Sequence, residues 1–202
     1  MTLGAGLYPV PEGHLAAVVT HLEMTAPTLA PPNFPDGVTA TQERMTTDDY
    51  RALFRAIGEK WLWISRLKYS DTALRTVLED PNVETTVIRR GDQAIGLVEL
   101  DYRQPDSCEV AFFGMLPSET GRGLGKPMMA LAQKRAFMQS IKTLHLHTCT
   151  LDSPHALEFY QACGFNPVRR EIEVLEDPRL GGYVPEEAAP NHPLIRWQRG
   201  FL

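Results

Sequence analysis

Cysteine is scarce in this chain of 202 residues: Cys108, Cys149 and Cys163 are the whole complement. An odd number in no paired spacing argues against a disulfide framework and points to a reducing compartment, so a cytoplasmic protein is expected. Long apolar runs are missing as well. None approaches the ~20 residues that cross a bilayer. The opening "MTLGAGLYPVPEGH" has neither the basic start nor the apolar centre of a signal peptide. No membrane partner is expected. Clustered cations are absent too. Net charge is -5, with no arginine- or lysine-rich stripe. Phosphate contacts need grouped positive charge, so nucleic acid is not expected as a partner.

The chain holds neither an internal repeat nor a low-complexity tract. Its length and apolar content suit one domain, residues 1–202, with a core that needs no staples. Prolines crowd both ends: Pro27, Pro31, Pro32 and Pro35 on one side, Pro178, Pro185, Pro190 and Pro193 on the other. Proline lacks an amide donor and restricts its predecessor. The expectation is therefore an N-terminal arm, 1–37, and a C-terminal tail, 177–202, around a core of about 38–176. "HLAAVVTHLEM" offers one extra strand ahead of that core, and arms of this kind suit a possible homodimer.

Within the core, "TTDDYRALFRAIGEKWLW" reads as a helix capped by Thr46 or Thr47, and "SDTALRTVLEDP" as a shorter one stopped before Pro81. "VETTVIRRGDQAIGLVELDYR" reads as a hairpin turning at Gly91-Asp92. "CEVAFFGML" and "TLHLHTCTL" read as strands on either side of a helix over 124–139. "SPHALEFYQACGF" reads as a helix with Ser153 as cap and Gly164 closing it. "NPVRREIEVLE" reads as a last strand. Strands alternating with helices imply α+β or α/β layers around one sheet.

The junction "LPSETGRGLGKPMM" carries glycine at 121, 123 and 125. Glycine costs about 0.5–1 kcal/mol against alanine in a regular element, so three in five residues mark a requirement of shape. A chain turning there from strand into helix aims bare amides outward, and the helix start adds partial positive charge. Arg122 and Lys126 add full charges. The P-loop pattern fails, because Thr120 stands at its first glycine and Pro127 at its hydroxyl position. The dinucleotide pattern fails too, since the glycines run GxGxG. On the turn alone, a packing junction and a phosphate cradle both remain open.

The turn is accompanied by "ALEFYQACGF", and the two together resemble the GNAT superfamily of N-acetyltransferases. Thr120-Gly121-Arg122-Gly123-Leu124-Gly125 is similar to the family's [QR]xxGx[GA] loop, with Thr120 in place of the long side chain. Ser153, Ala156, Tyr160, Gly164 and Phe165 are similar to its NxxAxxxYxxxGF signature, with Ser153 in place of asparagine beside Asp152. The resemblance covers about residues 40–175. It implies a mixed, mostly antiparallel sheet flanked by helices on both faces. It also implies acetyl-coenzyme A (acetyl-CoA) as donor substrate, a primary amine as acceptor and direct attack in a ternary complex. The residues it assigns to the donor are Phe113, Met115, Thr120, Gly121, Arg122, Gly123, Leu124, Gly125, Lys126, Ser153, Ala156 and Tyr160.

Amine acetylation needs a neutral nucleophile, an oxyanion site and a proton for the departing thiolate. The resemblance gives the last task to Tyr160 and places Glu109 as general base. Strand alternation puts Glu109 on one face with Ala111, Phe113 and Met115. An unperturbed carboxylate facing an ammonium is mismatched by about six pKa units, about 8 kcal/mol. Glu109 therefore needs a raised pKa, a water relay or late proton removal. Trp61 and Trp63 are expected to wall the acceptor pocket, with Glu109 and Cys149 beside them. Lys60 and Arg66 nearby favour an acceptor that carries an acidic group as well. His145, His147 and Cys149 share a strand face, but ligands on one straight strand splay apart, so no metal is expected. The rival reading is a non-catalytic CoA-binding or sensing module of the same fold. A third is a nucleotide-phosphate enzyme using the same loop.

Overall fold

The computed structural model describes residues 3–196, so the last six residues of the expected tail lie outside it. Seven strands form one sheet: β1 (His14–Met24), β2 (Val38–Gln42), β3 (Val83–Arg90), β4 (Gln93–Asp101), β5 (Ser107–Met115), β6 (Thr143–Cys149) and β7 (Asn166–Glu176). Their order is β2-β3-β4-β5-β6-β1-β7, and only β5 and β6 run parallel. The helices are α1 (Thr47–Gly58), α2 (Asp71–Leu78), α3 (Gly125–Met138) and α4 (Ala156–Ala162).

Local chemistry explains most of these boundaries. The Thr46 hydroxyl accepts the Asp49 amide at 3.1 Å and starts α1, while Ser70 does the same for α2 through the Ala73 amide at 3.2 Å. The hairpin turns at Gly91, at φ 57°. Ser153 is not the cap of α4. The helix starts at Ala156 after His155, without a side-chain cap. β2 went unread in the sequence, because "VTATQ" is short and buries only Val38.

Two apolar layers clamp the sheet. On one face Leu22, Leu100, Val110 and Leu144 meet Met128, Met129 and Ala132 of α3. On the other, Val87 and Leu97 meet Tyr50, Phe54 and Ile57 of α1 and Leu74 of α2. Each fully buried leucine, valine, isoleucine, phenylalanine or methionine among them contributes about 1.5–3 kcal/mol.

β1 comes from the expected arm yet sits inside the sheet, antiparallel to both β6 and β7. Leu22 and Met24 join the α3 layer, and Ala17 turns to the other face. The segment after β1 is tied down as well. The buried Gln133 of α3 accepts the amides of Thr28 and Leu29 and donates to the Cys163 carbonyl. The chain after β7 also packs: Val184, Ala188 and Ala189 meet Leu62, Ile64 and Leu151.

One irregularity reassigns faces along β5. Glu99 lies opposite Phe112 and Leu100 opposite Val110, so Ala111 bulges without a partner. Val110 and Phe113 then both turn to the α3 layer, and Phe112 to the α1 layer. The expected grouping of Glu109 with Phe113 and Met115 is corrected by this bulge.

Candidate active site

β5 and β6 are in parallel register only at Ser107–Thr143, Cys108–Leu144 and Glu109–His145. Beyond Glu109 they part, and the edge of β5 from Val110 onward is free of β6. The glycine turn and α4 close around this opening, leaving a cleft of ≈ 490 Å³. Phe113 and Met115 line it from β5, Leu124 from the turn, Lys126 from the start of α3, and Ala156, Phe159 and Tyr160 from α4.

The turn has a backbone geometry that suits an anion. Gly121 and Gly123 sit at φ 79° and 80°, in the left-handed region that favours glycine. A Cβ on Gly125 would meet the Phe159 ring at 3.1 Å. The start of α3 has no side-chain cap, so its first amides are left for a ligand. Just before the turn, the buried Glu119 pairs with Arg90 at 2.8 Å and ties the loop to the end of β3. These features fit a pyrophosphate. Of the twelve residues expected at the donor, eleven line the cleft. Arg122 is the exception: its guanidinium turns to Glu119, at 3.5 Å, and stays largely exposed.

At the far end stands Tyr160, among the rings of Phe159, Phe113 and Phe165 at centroid distances of 5.5, 6.2 and 6.3 Å. Burial, helped by the charge of Asp152, pushes its phenol well above the ordinary tyrosine range. The hydroxyl therefore keeps its proton at neutral pH and can donate it.

Asp152 is the residue that the sequence reading passed over, although it stands next to Ser153. One carboxylate oxygen accepts the Thr148 hydroxyl at 2.7 Å and the Cys149 amide at 2.9 Å. The other accepts the Trp63 indole N–H at 3.2 Å. Asp152, Trp61 and Ser153 border both the cleft and a second recess of ≈ 430 Å³. Lys60, Cys149, Arg170 and the tail segment 189–192 complete that recess. Burial pushes the Cys149 thiol up to about 11, so it is not a thiolate nucleophile at neutral pH.

Glu109 does not reach either space. It sits at the last position where β5 and β6 pair, and it lines a separate recess with His21, His145 and His147. His147 Nδ1 is 3.5 Å away and holds the carboxyl below its ordinary value, partly opposed by burial. The placement expected for a base in the cleft is corrected accordingly. Arg66 is also removed from the acceptor side: it is buried at 2.5 Å from Glu99, which accepts the Tyr50 hydroxyl as well.

This arrangement has known counterparts. A profile of the Acetyltransferase (GNAT) family matches residues 45–165. The chain belongs to that family. It is similar to a GCN5-related N-acetyltransferase from Kribbella flavida at 23% identity and TM-score 0.56, covering 84% of this chain and 63% of that one. A GCN5-related N-acetyltransferase from Sphaerobacter thermophilus superposes with TM-score 0.59 at 16% identity, over 81% of this chain and 53% of that one. An aminoglycoside acetyltransferase from an uncultured soil metagenomic sample, solved with sisomicin, gives TM-score 0.53 at 11% identity, over 64% of this chain and 88% of that one. The chain thus spans less than two thirds of the first two proteins, and at these identities the likeness is one of fold. No curated protein matches it.

The family profile does not reach the ends of the chain. The matched residues hold the glycine turn, Asp152 and Tyr160, whereas β1 and the tail lie outside them. No helix among the described residues is long and apolar enough to cross a membrane.

Proposed function

We propose that this GNAT protein moves an acetyl group from acetyl-CoA to a primary amine by direct attack in a ternary complex. One observation carries the reading: a single cleft has an uncapped, glycine-rich helix start at one end and a proton-holding Tyr160 beside Asp152 at the other.

The amides around Gly121, Gly123 and Gly125, with Lys126, hold the pyrophosphate. The free edge of β5 from Val110 to Met115 offers backbone groups to the pantetheine amides. Asp152 faces the incoming nitrogen, which attacks as the neutral amine after its ammonium form has released one proton to solvent. As the nitrogen–carbon bond forms and the carbon–sulfur bond breaks, the Tyr160 hydroxyl gives its proton to the sulfur. The proton lost by the nitrogen then returns to the phenolate, so the protein ends unchanged. Burial raises the Tyr160 phenol further above the thiol, so the proton passes to the sulfur only as charge builds up on it in the breaking bond. The non-catalytic alternative is not favoured, because a passive CoA binder has no need of an acid at the end of the cleft.

Calorimetric titration with acetyl-CoA, with ATP and NAD as controls, tests the donor. Saturable binding of acetyl-CoA alone supports the assignment. Absence of binding would overturn it, and acetyl transfer to an amine panel then tests the reaction.

A further inference from the structure

The second recess gives the acceptor a chemical class. We infer that the space bounded by Asp152, Trp61, Lys60, Arg170 and residues 189–192 is the acceptor subsite, and that it takes a small amine carrying an anionic group, as a free amino acid does. The inference rests on the acetyl-transfer reading above.

Position comes first. Trp61, Asp152 and Ser153 belong to both spaces, so a molecule seated in the recess enters the cleft past Asp152, on the side where Tyr160 stands. Charge comes second. Lys60 Nζ lies 4.9 Å from the Trp61 ring, and neither Lys60 nor Arg170 has a carboxylate within 4.0 Å among the described residues. Two cations on one recess, neither ion-paired with a carboxylate, suit an anionic ligand. Asp152 supplies the opposite sign at the mouth of the cleft. Its first oxygen is occupied by two donors, while its second accepts only the Trp63 indole and keeps capacity for an ammonium. An amine at one end and an acid at the other match this pattern.

Enclosure comes third. Arg179, buried, is held by both oxygens of Asp177 at 2.7 and 2.9 Å. It donates to the carbonyls of Ala188 at 3.3 Å and His192 at 2.7 Å. This clamp fixes residues 189–192 as a wall. A recess of ≈ 430 Å³ with such a wall accepts a small molecule rather than the face of a folded protein.

The test compares free amino acids with their amides, which keep the amine and lose the acid. The first readout is calorimetric binding of glycine, L-phenylalanine and L-glutamate, and of the matching amides, to the full chain saturated with CoA. The second is acetyl transfer to the same probes. Lys60→Ala and Arg170→Ala replace exposed side chains. Each is expected to weaken binding of the acids and raise their KM by about tenfold, with the amides and acetyl-CoA nearly unaffected. Equal affinity of acids and amides in the parent protein would overturn the subsite. So would equal losses for both in the variants, or no binding of any acid. Binding of the acids without acetyl transfer would leave the subsite standing and overturn the reaction instead.

Discussion

Trp63 donates its indole N–H to Asp152 across 3.2 Å, joining the segment after α1 to the turn after β6. The bond ties together two walls of the cleft that lie far apart in the sequence. Asp152→Asn removes the charge and keeps the shape and one acceptor oxygen, which can stay with Thr148 and Cys149 while the amide NH2 faces the Trp63 indole. The expected result is a KM for the amine raised about tenfold or more, with acetyl-CoA affinity within about threefold of the parent. Parallel loss of acetyl-CoA binding would show that Asp152 merely holds the cleft together.

Tyr160→Phe deletes one hydroxyl from a ring whose packing is otherwise retained. Turnover is expected to fall about 10²–10⁴-fold while acetyl-CoA binding changes little. The raised pKa has a further consequence. The protonated form persists above the ordinary tyrosine value, so no alkaline loss of rate from this group is expected as pH rises to 10.0. Equal losses in turnover and binding would remove the general-acid role.

At Gly123 an alanine Cβ meets open space, but φ is 80°. The cost is therefore backbone strain, about 1–2 kcal/mol. If the turn relaxes to relieve it, the amides lose their aim. Gly123→Ala is expected to weaken acetyl-CoA by about tenfold in calorimetry, and unchanged affinity would mean that those amides do not hold the ligand.

The Glu109–His147 pair makes stability depend on pH in a defined window. The hydrogen bond to His147 lowers Glu109 from its ordinary 4.5, and the same bond raises His147 from 6.5. The carboxylate contribution is present above 4.5 and fades as pH falls through the lowered value. The imidazolium contribution is complete below 6.5 and fades as pH rises through the raised value. Half of the His147 side chain is open to solvent, which holds the effect below about 1 kcal/mol. His147→Gln should therefore lose most against the parent near pH 5.5 in urea unfolding, and less above pH 7. A constant difference from pH 5 to 9 would contradict the pairing.

Arg179 and Asp177 are each 4% exposed, so breaking their pair leaves a charge inside the protein. Arg179→Met is expected to cost about 3–5 kcal/mol in thermal unfolding and to open the tail to protease near residue 189. The double variant Asp177→Asn with Arg179→Met should recover part of that loss. If it recovers none, the backbone bonds of Arg179, rather than its charge, hold the tail.

Much of this was readable before any fold was known, because it rests on local rules. The cap at Thr46, the turn at Gly91, the glycine junction and the helix ending at Gly164 are decided by residues within a few positions of one another. So is the spacing that puts the glycine turn and Tyr160 in one family pattern. Other features depend on residues distant in the sequence. Nothing near His14–Met24 says that it will pair between β6 and β7, since its partners lie more than a hundred residues away. Nor does "CEVAFFGML" disclose the bulge at Ala111, which arises from register against β4 and leaves Glu109 away from Phe113. Asp152 reads as an ordinary turn residue until Trp63, Thr148 and the Cys149 amide surround it. The chain alone determined the elements and the chemistry available to them. Only tertiary pairing decided which carboxylate meets the cleft, because strand register and the parting of β5 from β6 are set by contacts between segments far apart.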